Sequence, residues 1–284
     1  MAEGRITYRA KKEIVCPVCD NRFSREELLI GGGRMNAGEL TDELHRVYLP
    51  TKKYGDVHPL IYPVTVCPRC WYAAYPRHFE ELESQGFEKI RGDVQGRKNI
   101  LKPIFPDLDF DAERGLAEGI ASYMLAAFCY EHRIPKNSPT FYRGLSFLRA
   151  GWLAKNLHKQ QSEDNFDYLA EILLRKASFF YSEILHTVGK DNERIEDIPN
   201  HGPDQDNNYG FDGVLYLIGV LVLKYGSRDD VQYRRSALKA ARAAVSRIVG
   251  MGQSTKSKPS ALLDLGRALH KAIKKELNED SDDA

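Results

Sequence analysis

Several absences narrow the chemistry before any motif is considered. With 41 basic and 40 acidic side chains in 284 residues the net charge is +1, so no global field draws the molecule to nucleic acid or to an anionic membrane. Any such affinity has to be local. Long apolar runs are missing as well: the longest, VLYLIGVLVL at 214–223, is about half of the roughly 20 residues a membrane-crossing helix needs. The opening MAEGRITYRAKKEIV alternates charge with short apolar residues and has no apolar core of signal-peptide length. These features lead us to expect a cytoplasmic protein without membrane insertion. No G-x-x-x-x-G-K-[ST] phosphate loop, G-x-G-x-x-G fingerprint or G-x-S-x-G elbow occurs, and Gly31, Gly32 and Gly33 are not followed by a lysine and serine. Neither an acid pair nor a Ser, His and Asp grouping can be assembled from spacing, so an enzymatic reading has no chemistry to rest on.

Cysteine is scarce, at five residues, but four of the five fall in two like tetrads, Cys16-Pro17-Val18-Cys19 and Cys67-Pro68-Arg69-Cys70. Each follows a valine, Val15 or Val66. Two intervening residues let one tight turn aim both sulfurs at a point, where neighbouring backbone N–H groups can stabilise their charge. Proline after the first cysteine fixes φ for that turn. In a cytosolic chain the doubled C-x-x-C reads as one structural zinc site, Zn2+ held by Cys16, Cys19, Cys67 and Cys70. A thioredoxin-like redox pair would expect a single C-x-x-C at a strand-to-helix junction. His45, His58 and His78 flank the pairs and could replace a ligand or leave a catalytic zinc open, though none stands at an H-E-x-x-H spacing. Cys129, within SYMLAAFCY, reads as a small core residue.

The gap between the pairs is longer than in common ribbons and needs a loop or small subdomain. Ser24 and Glu27 match an S-x-x-E capping box, which predicts a helix ended by the glycine run at 31–33. IYPVTV before the second pair predicts a strand, and PRHFEELESQ after it a helix opened by Pro76.

From about residue 114 the pattern is helical: 114–132, 141–158, 164–187, 211–225, 230–249 and 259–277. The fold class expected is mainly α, a small zinc-ribbon-like α+β region at 1–101, then a linker at 102–113, a tetratricopeptide-like stack at 114–278 and an acidic tail at 279–284. Gly151 and Gly219 lie 68 residues apart, and Ala170 with Ala177 is echoed by Ala237 with Ala244, as if two helix pairs kept one register. Trp152, Phe179, Tyr216 and Leu223 would fill the spaces around these small residues; an irregular bundle is the alternative. The polar segment 186–213 is long for a loop, either a functional edge or a disordered excursion. Its Asp204, Asp206 and Asn208 begin like a calcium loop, but Tyr209 and Leu215 occupy the required glycine and glutamate positions, so calcium is rejected. Residues 231–260 carry basic but no acidic side chains. Helical spacing turns Ala237, Ala240, Ala241, Ala244, Val245 and Ile248 inward and leaves Arg235, Lys239 and Arg242 together outside, either as a solvated face, alone or paired with the acidic tail, or as a face for an acidic partner, protein or nucleic acid.

C-P-V-C with Phe23 beyond it, then V-C-P-R-C followed by W-Y-A-A-Y, and later YLIGVLVLKYG, together resemble the bacterial domain-of-unknown-function family number 2225. In that family a cysteine-rich N-terminal region precedes tetratricopeptide-like helices. The resemblance implies that Cys16, Cys19, Cys67 and Cys70 are the metal ligands, and it implies no activity. Glycine usually follows the fourth cysteine in the family pattern; here Trp71 stands there, and Asp20 follows the second. The functional expectation is a non-enzymatic zinc-stabilised adaptor whose helical stack binds a protein or peptide partner. Alternatives are a nucleic-acid-binding zinc-ribbon protein aided by Arg69 and the basic helix, or a zinc-dependent hydrolase.

Overall fold

Each cysteine tetrad forms the turn of an antiparallel strand pair. In the computed structural model, which describes residues 4–187, 193–204, 209–250 and 258–278, β1 (Thr7–Val15) and β2 (Arg22–Leu28) flank the first tetrad. After β3 (Asn36–Leu40) and β4 (Arg46–Leu49), a hairpin of their own, β5 (Thr65–Val66) and β6 (Ala73–Ala74) flank the second. The helix expected from Ser24 is therefore strand β2, with Ser24 opposite Glu13. The turn reverses the chain and offers β1 as a partner. That ladder overrides a local cap signal. It also places Phe23 edge-on against Phe79 and buries Glu26 beside Arg114. Gly31, Gly32 and Gly33, expected as a helix end, all have positive φ and carry the chain out of β2 toward the next hairpin.

The helix expected after Pro76 is broken. α1 (Pro76–Phe79) stops after one turn and the chain resumes as α2 (Ser84–Gly92) and α3 (Val94–Leu101). The interruption has a visible cause: the buried guanidinium of Arg133 donates to the carbonyls of His78 and Glu81, the first of which a continuing helix would have used.

Then follow α4 (Leu116–Tyr130), α5 (Pro139–Gln160), α6 (Phe166–Thr187), α7 (Gly210–Tyr225), α8 (Val231–Val249) and α9 (Ser260–Glu276). Glu118 accepts from the Gly115 N–H to start α4, and Asp230 caps α8 by accepting from Gln232 and Tyr233 N–H. Consecutive helices pack on one another, and α7 also touches α9. Of the 15 residues of α4, 12 are buried, because the helix is covered both by α5 and by β6 with the 3-10 turn at Pro59–Ile61. The apolar core therefore runs without a break from the cysteines into the last helix. Phe105 and Phe110, in the stretch expected as linker, belong to it.

Gly151 and Gly219 do sit at close approaches. A Cβ at Gly151 would come within 2.6 Å of Leu174 on α6, and one at Gly219 within 2.5 Å of Val245 on α8. Trp152 and Tyr216 are buried as expected, whereas Phe179 is 52% exposed on the outer face of α6. No helix among the described residues is long and apolar enough to cross a membrane.

Candidate metal centre

The two tetrads have the same backbone geometry. Cys16 N–H donates to Asn21 C=O (2.9 Å) and Asp20 N–H to Cys16 C=O (3.0 Å); in the second, Cys67 N–H donates to Tyr72 C=O (2.9 Å) and Trp71 N–H to Cys67 C=O (2.9 Å). The residue after the second cysteine of each tetrad is left-handed, Asp20 at φ 58° and Trp71 at φ 57°. That conformation favours glycine, and Asp tolerates it better than a bulky residue does. Trp71 is held there by burial: its ring meets Phe110 edge-on at 5.6 Å, and Lys98 lies over its face at 5.4 Å.

The four sulfurs converge. Cys16 and Cys70 Sγ are 3.6 Å apart, as are Cys19 and Cys67 Sγ, and all four lie within 4.8 Å of one another with no disulfide among them. A tetrahedral thiolate shell with metal–sulfur bonds of about 2.3 Å places its sulfurs about 3.8 Å apart, so the donor set and spacing fit one ion. Hydrogen bonds from Cys16, Cys70 and the backbone N–H groups of Cys70 and Arg69 hold the Cys67 thiol well below its usual range, while sharing with Cys16 and Cys67 pushes Cys70 up. Behind the fourth sulfur lies a buried cation that spacing could not reveal. Arg97 is 2% exposed and donates to the carbonyls of Ile90 (2.7 Å) and Cys70 (3.2 Å). A shell of four thiolates around a divalent ion carries two negative charges. A guanidinium one residue's backbone away offsets part of that charge in a medium of low dielectric.

None of the three flanking histidines joins this cluster; among the described residues the four cysteines form it alone. His78 is buried, with Nδ1 2.7 Å from Tyr130 Oη, and burial pushes its pKa down to about 4. Cys129 is buried, and desolvation raises its thiol.

His45 and His58 instead line a cavity of about 460 Å³ at the seam between the β3–β4 hairpin and α5. The hairpin tip is clamped into the helices: Glu43 accepts from Trp152 Nε1 (2.6 Å), Tyr225 Oη (2.5 Å) and Lys224 Nζ (3.0 Å), and Tyr216 Oη donates to Asp42 C=O (2.8 Å). The described part of the long polar segment packs against both the hairpin and α5. Asp204, fully buried, accepts from His45 Nδ1 (2.7 Å) and Arg46 N–H (2.9 Å), Arg149 Nε donates to Pro203 C=O (2.7 Å), and Glu193 accepts from Thr140 Oγ1 (2.7 Å). That segment is thus a packed strap over residues 193–204; Asp206 and Asn208 lie outside the described residues.

On α8, Arg235 and Lys239 are exposed and Arg242 is half-buried. Ala241, Ala244, Val245 and Ile248 face inward as expected, while Ala237 is half-buried and Ala240 exposed. Arg234, from the same basic run, turns inward and donates to the carbonyls of Val222 and Leu223 at the end of α7. The acidic tail lies outside the described residues.

Residues 9–273 match the model of the family described as "Uncharacterized protein conserved in bacteria (DUF2225)". An uncharacterized protein of Borreliella burgdorferi is 39% identical over 273 residues, covering 96% of this chain and 98% of that protein. No solved structure matches.

Proposed function

We propose, from the premise that the chain belongs to this bacterial DUF2225 family, that it is a zinc-stabilised, non-enzymatic adaptor whose tetratricopeptide-like helices bind an acidic protein or peptide segment. The metal assigned is a single Zn2+ bound by Cys16, Cys19, Cys67 and Cys70. Four converging thiols and a closed shell leave no position for water, which supports a folding role for the ion over the hydrolase alternative.

The observation that carries the partner reading is the outer face of α8. Val231, Arg235, Lys239 and Arg242 follow one another at helical i, i+4 and i, i+3 spacing. The stripe begins with an apolar side chain that is 76% exposed and continues with three cations, a pattern suited to a segment with an apolar anchor and carboxylates. The nucleic-acid alternative would use the same cations.

The test is crosslinking capture by the intact, metal-loaded chain and by the triple variant R235E, K239E, R242E. The adaptor reading expects an acidic protein to be captured by the first and lost by the second, with metal content and melting temperature unchanged. Capture that survives the reversal removes the α8 assignment. Nuclease-sensitive capture, with a steep salt dependence of oligonucleotide binding, transfers it to nucleic acid.

A further inference from the structure

Neither the metal centre nor the α8 face accounts for the cavity at the seam. Its volume, about 460 Å³, falls within the range of about 300–1,000 Å³ occupied by small-molecule sites. Its interior combines apolar walls, among them Val57, Leu60, Leu153 and Trp152, with cations on Arg46, Lys155, Lys159 and Lys224.

The polar groups divide into those already engaged and those left for a ligand. Lys224 is engaged, holding Asp42 (2.7 Å) and Glu43 (3.0 Å), and Lys155 donates to Tyr225 Oη (2.8 Å). Glu43 is saturated by Trp152, Tyr225 and Lys224, so it presents little free charge to the cavity. Among the described residues Lys159 reaches only Asn156 Oδ1, at 3.5 Å. His45 is fixed in orientation twice over: its ring stacks on Trp152 (centroids 4.3 Å apart, 14° between planes), and its Nδ1 is bonded to buried Asp204. That leaves His45 Nε2 without a hydrogen-bond partner among the described residues. A lone surface histidine would need no such support from residues 107 and 159 positions away in the chain (152 − 45 and 204 − 45). Burial keeps His58 below the ordinary histidine range, so it adds little positive charge to a lining that carries Arg46, Lys155, Lys159 and Lys224 together with the exposed carboxylate of Asp56.

We infer that this cavity binds a small phosphate monoester, its phosphate taken by Lys159 and His45 Nε2 and its organic body lodged against Trp152, Leu60 and Leu153. With Nδ1–H committed to Asp204, His45 Nε2 donates when the ring carries its second proton, and ammonium and imidazolium then act as separate point donors. They match the three oxygens of a phosphate better than the two of a carboxylate, which favours a planar fork.

Phenyl phosphate is the probe, added to the isotope-labelled, metal-loaded full chain and followed by the imidazole and indole resonances of His45 and Trp152, with calorimetry for affinity. The expected result is saturable shifts at both rings, absent with phenol and weaker with inorganic phosphate. Lys159→Ala and His45→Gln should each weaken binding by about tenfold or more, as loss of a charge-assisted hydrogen bond does, with metal content unchanged. Lys159 is exposed, so its variant decides the matter if His45→Gln unfolds. The inference is overturned if no saturable shift occurs, if benzoate binds as tightly as phenyl phosphate, or if Lys159→Ala binds like the unaltered chain. None of these outcomes depends on a partner at α8.

Discussion

Adding one methyl group at Gly219 tests the close packing of the last three helices. A Cβ there would lie 2.5 Å from Val245 Cγ2 on α8 and 2.8 Å from Leu269 Cδ2 on α9, against the roughly 3.5–4.0 Å of an unstrained carbon contact. Val245 is fully buried and β-branched, with essentially one rotamer available in a helix, so it cannot swing aside. Overpacking of this kind costs about 1–3 kcal/mol. Alanine's better helix propensity returns about 0.8–1.0 kcal/mol, leaving Gly219→Ala destabilised by up to about 2 kcal/mol. Gly92, in the last turn of α2, has no neighbour within 4 Å of the added atom, so Gly92→Ala should be neutral or stabilising by up to about 1 kcal/mol. The difference between the two substitutions isolates the packing cost. At roughly 2–4 °C per kcal/mol for a chain of this order of size it amounts to a gap of about 2–12 °C in melting temperature. Urea unfolding with an unchanged slope should rank the two variants alike. Combining Gly219→Ala with Val245→Ala should recover part of the loss, with a coupling of about 0.5–3 kcal/mol. If Gly219→Ala stabilises the protein as much as Gly92→Ala does, the close approach of α7 to α8 and α9 is wrong.

Three further outcomes follow from the metal centre and its surroundings. Cys16→Ser or Cys70→Ser should each lower zinc content and destabilise the cysteine-bearing strand pairs first, whereas Cys129→Ser should leave zinc content unchanged; metal analysis with X-ray absorption reads both, and a shell containing histidine or water would refute the closed site. At the left-handed position of the first tetrad, Asp20→Ala should cost about 1 kcal/mol and Asp20→Gly little, by chemical denaturation, since glycine alone adopts positive φ freely; equal losses would contradict the shared turn geometry. His78, held to about 4 by burial and then by Arg133 and Arg77, binds a proton less readily folded than unfolded. Its contribution is therefore complete above about pH 6.5 and is lost as pH falls toward 4, up to about 3 kcal/mol at about 1.36 kcal/mol per unit. His78→Gln should flatten the acid limb of stability relative to the unaltered chain, and parallel limbs would refute a neutral buried imidazole.

The long helices from residue 116 onward were legible in the sequence to within about two residues at each end, because a 3.6-residue periodicity is written locally and α4 to α9 are long enough to show it. The cysteine pairing was legible for the same kind of reason: two C-P-x-C tetrads in one chain leave few other uses for four thiols, and the structure brings their sulfurs together. What spacing could not decide was everything that depends on which distant segments meet. Ser24 and Glu27 satisfy a helix cap locally, yet β1 was available as a strand partner and the ladder won. Phe179 looked like a filler of the helix interface and faces solvent. The cations that matter most inside the protein, Arg97, Arg114, Arg133 and Arg149, satisfy carbonyls at chain crossings, and a sequence shows only that an arginine is present, never which carbonyls it will find. The seam cavity is the extreme case. Glu43 reaches Trp152 across 109 residues and His45 reaches Asp204 across 159, so the site exists only after the hairpin has docked on the helices. Local periodicity and ligand spacing are properties of short stretches of chain, whereas a buried hydrogen bond between distant side chains forms only where tertiary packing brings donor and acceptor out of water together.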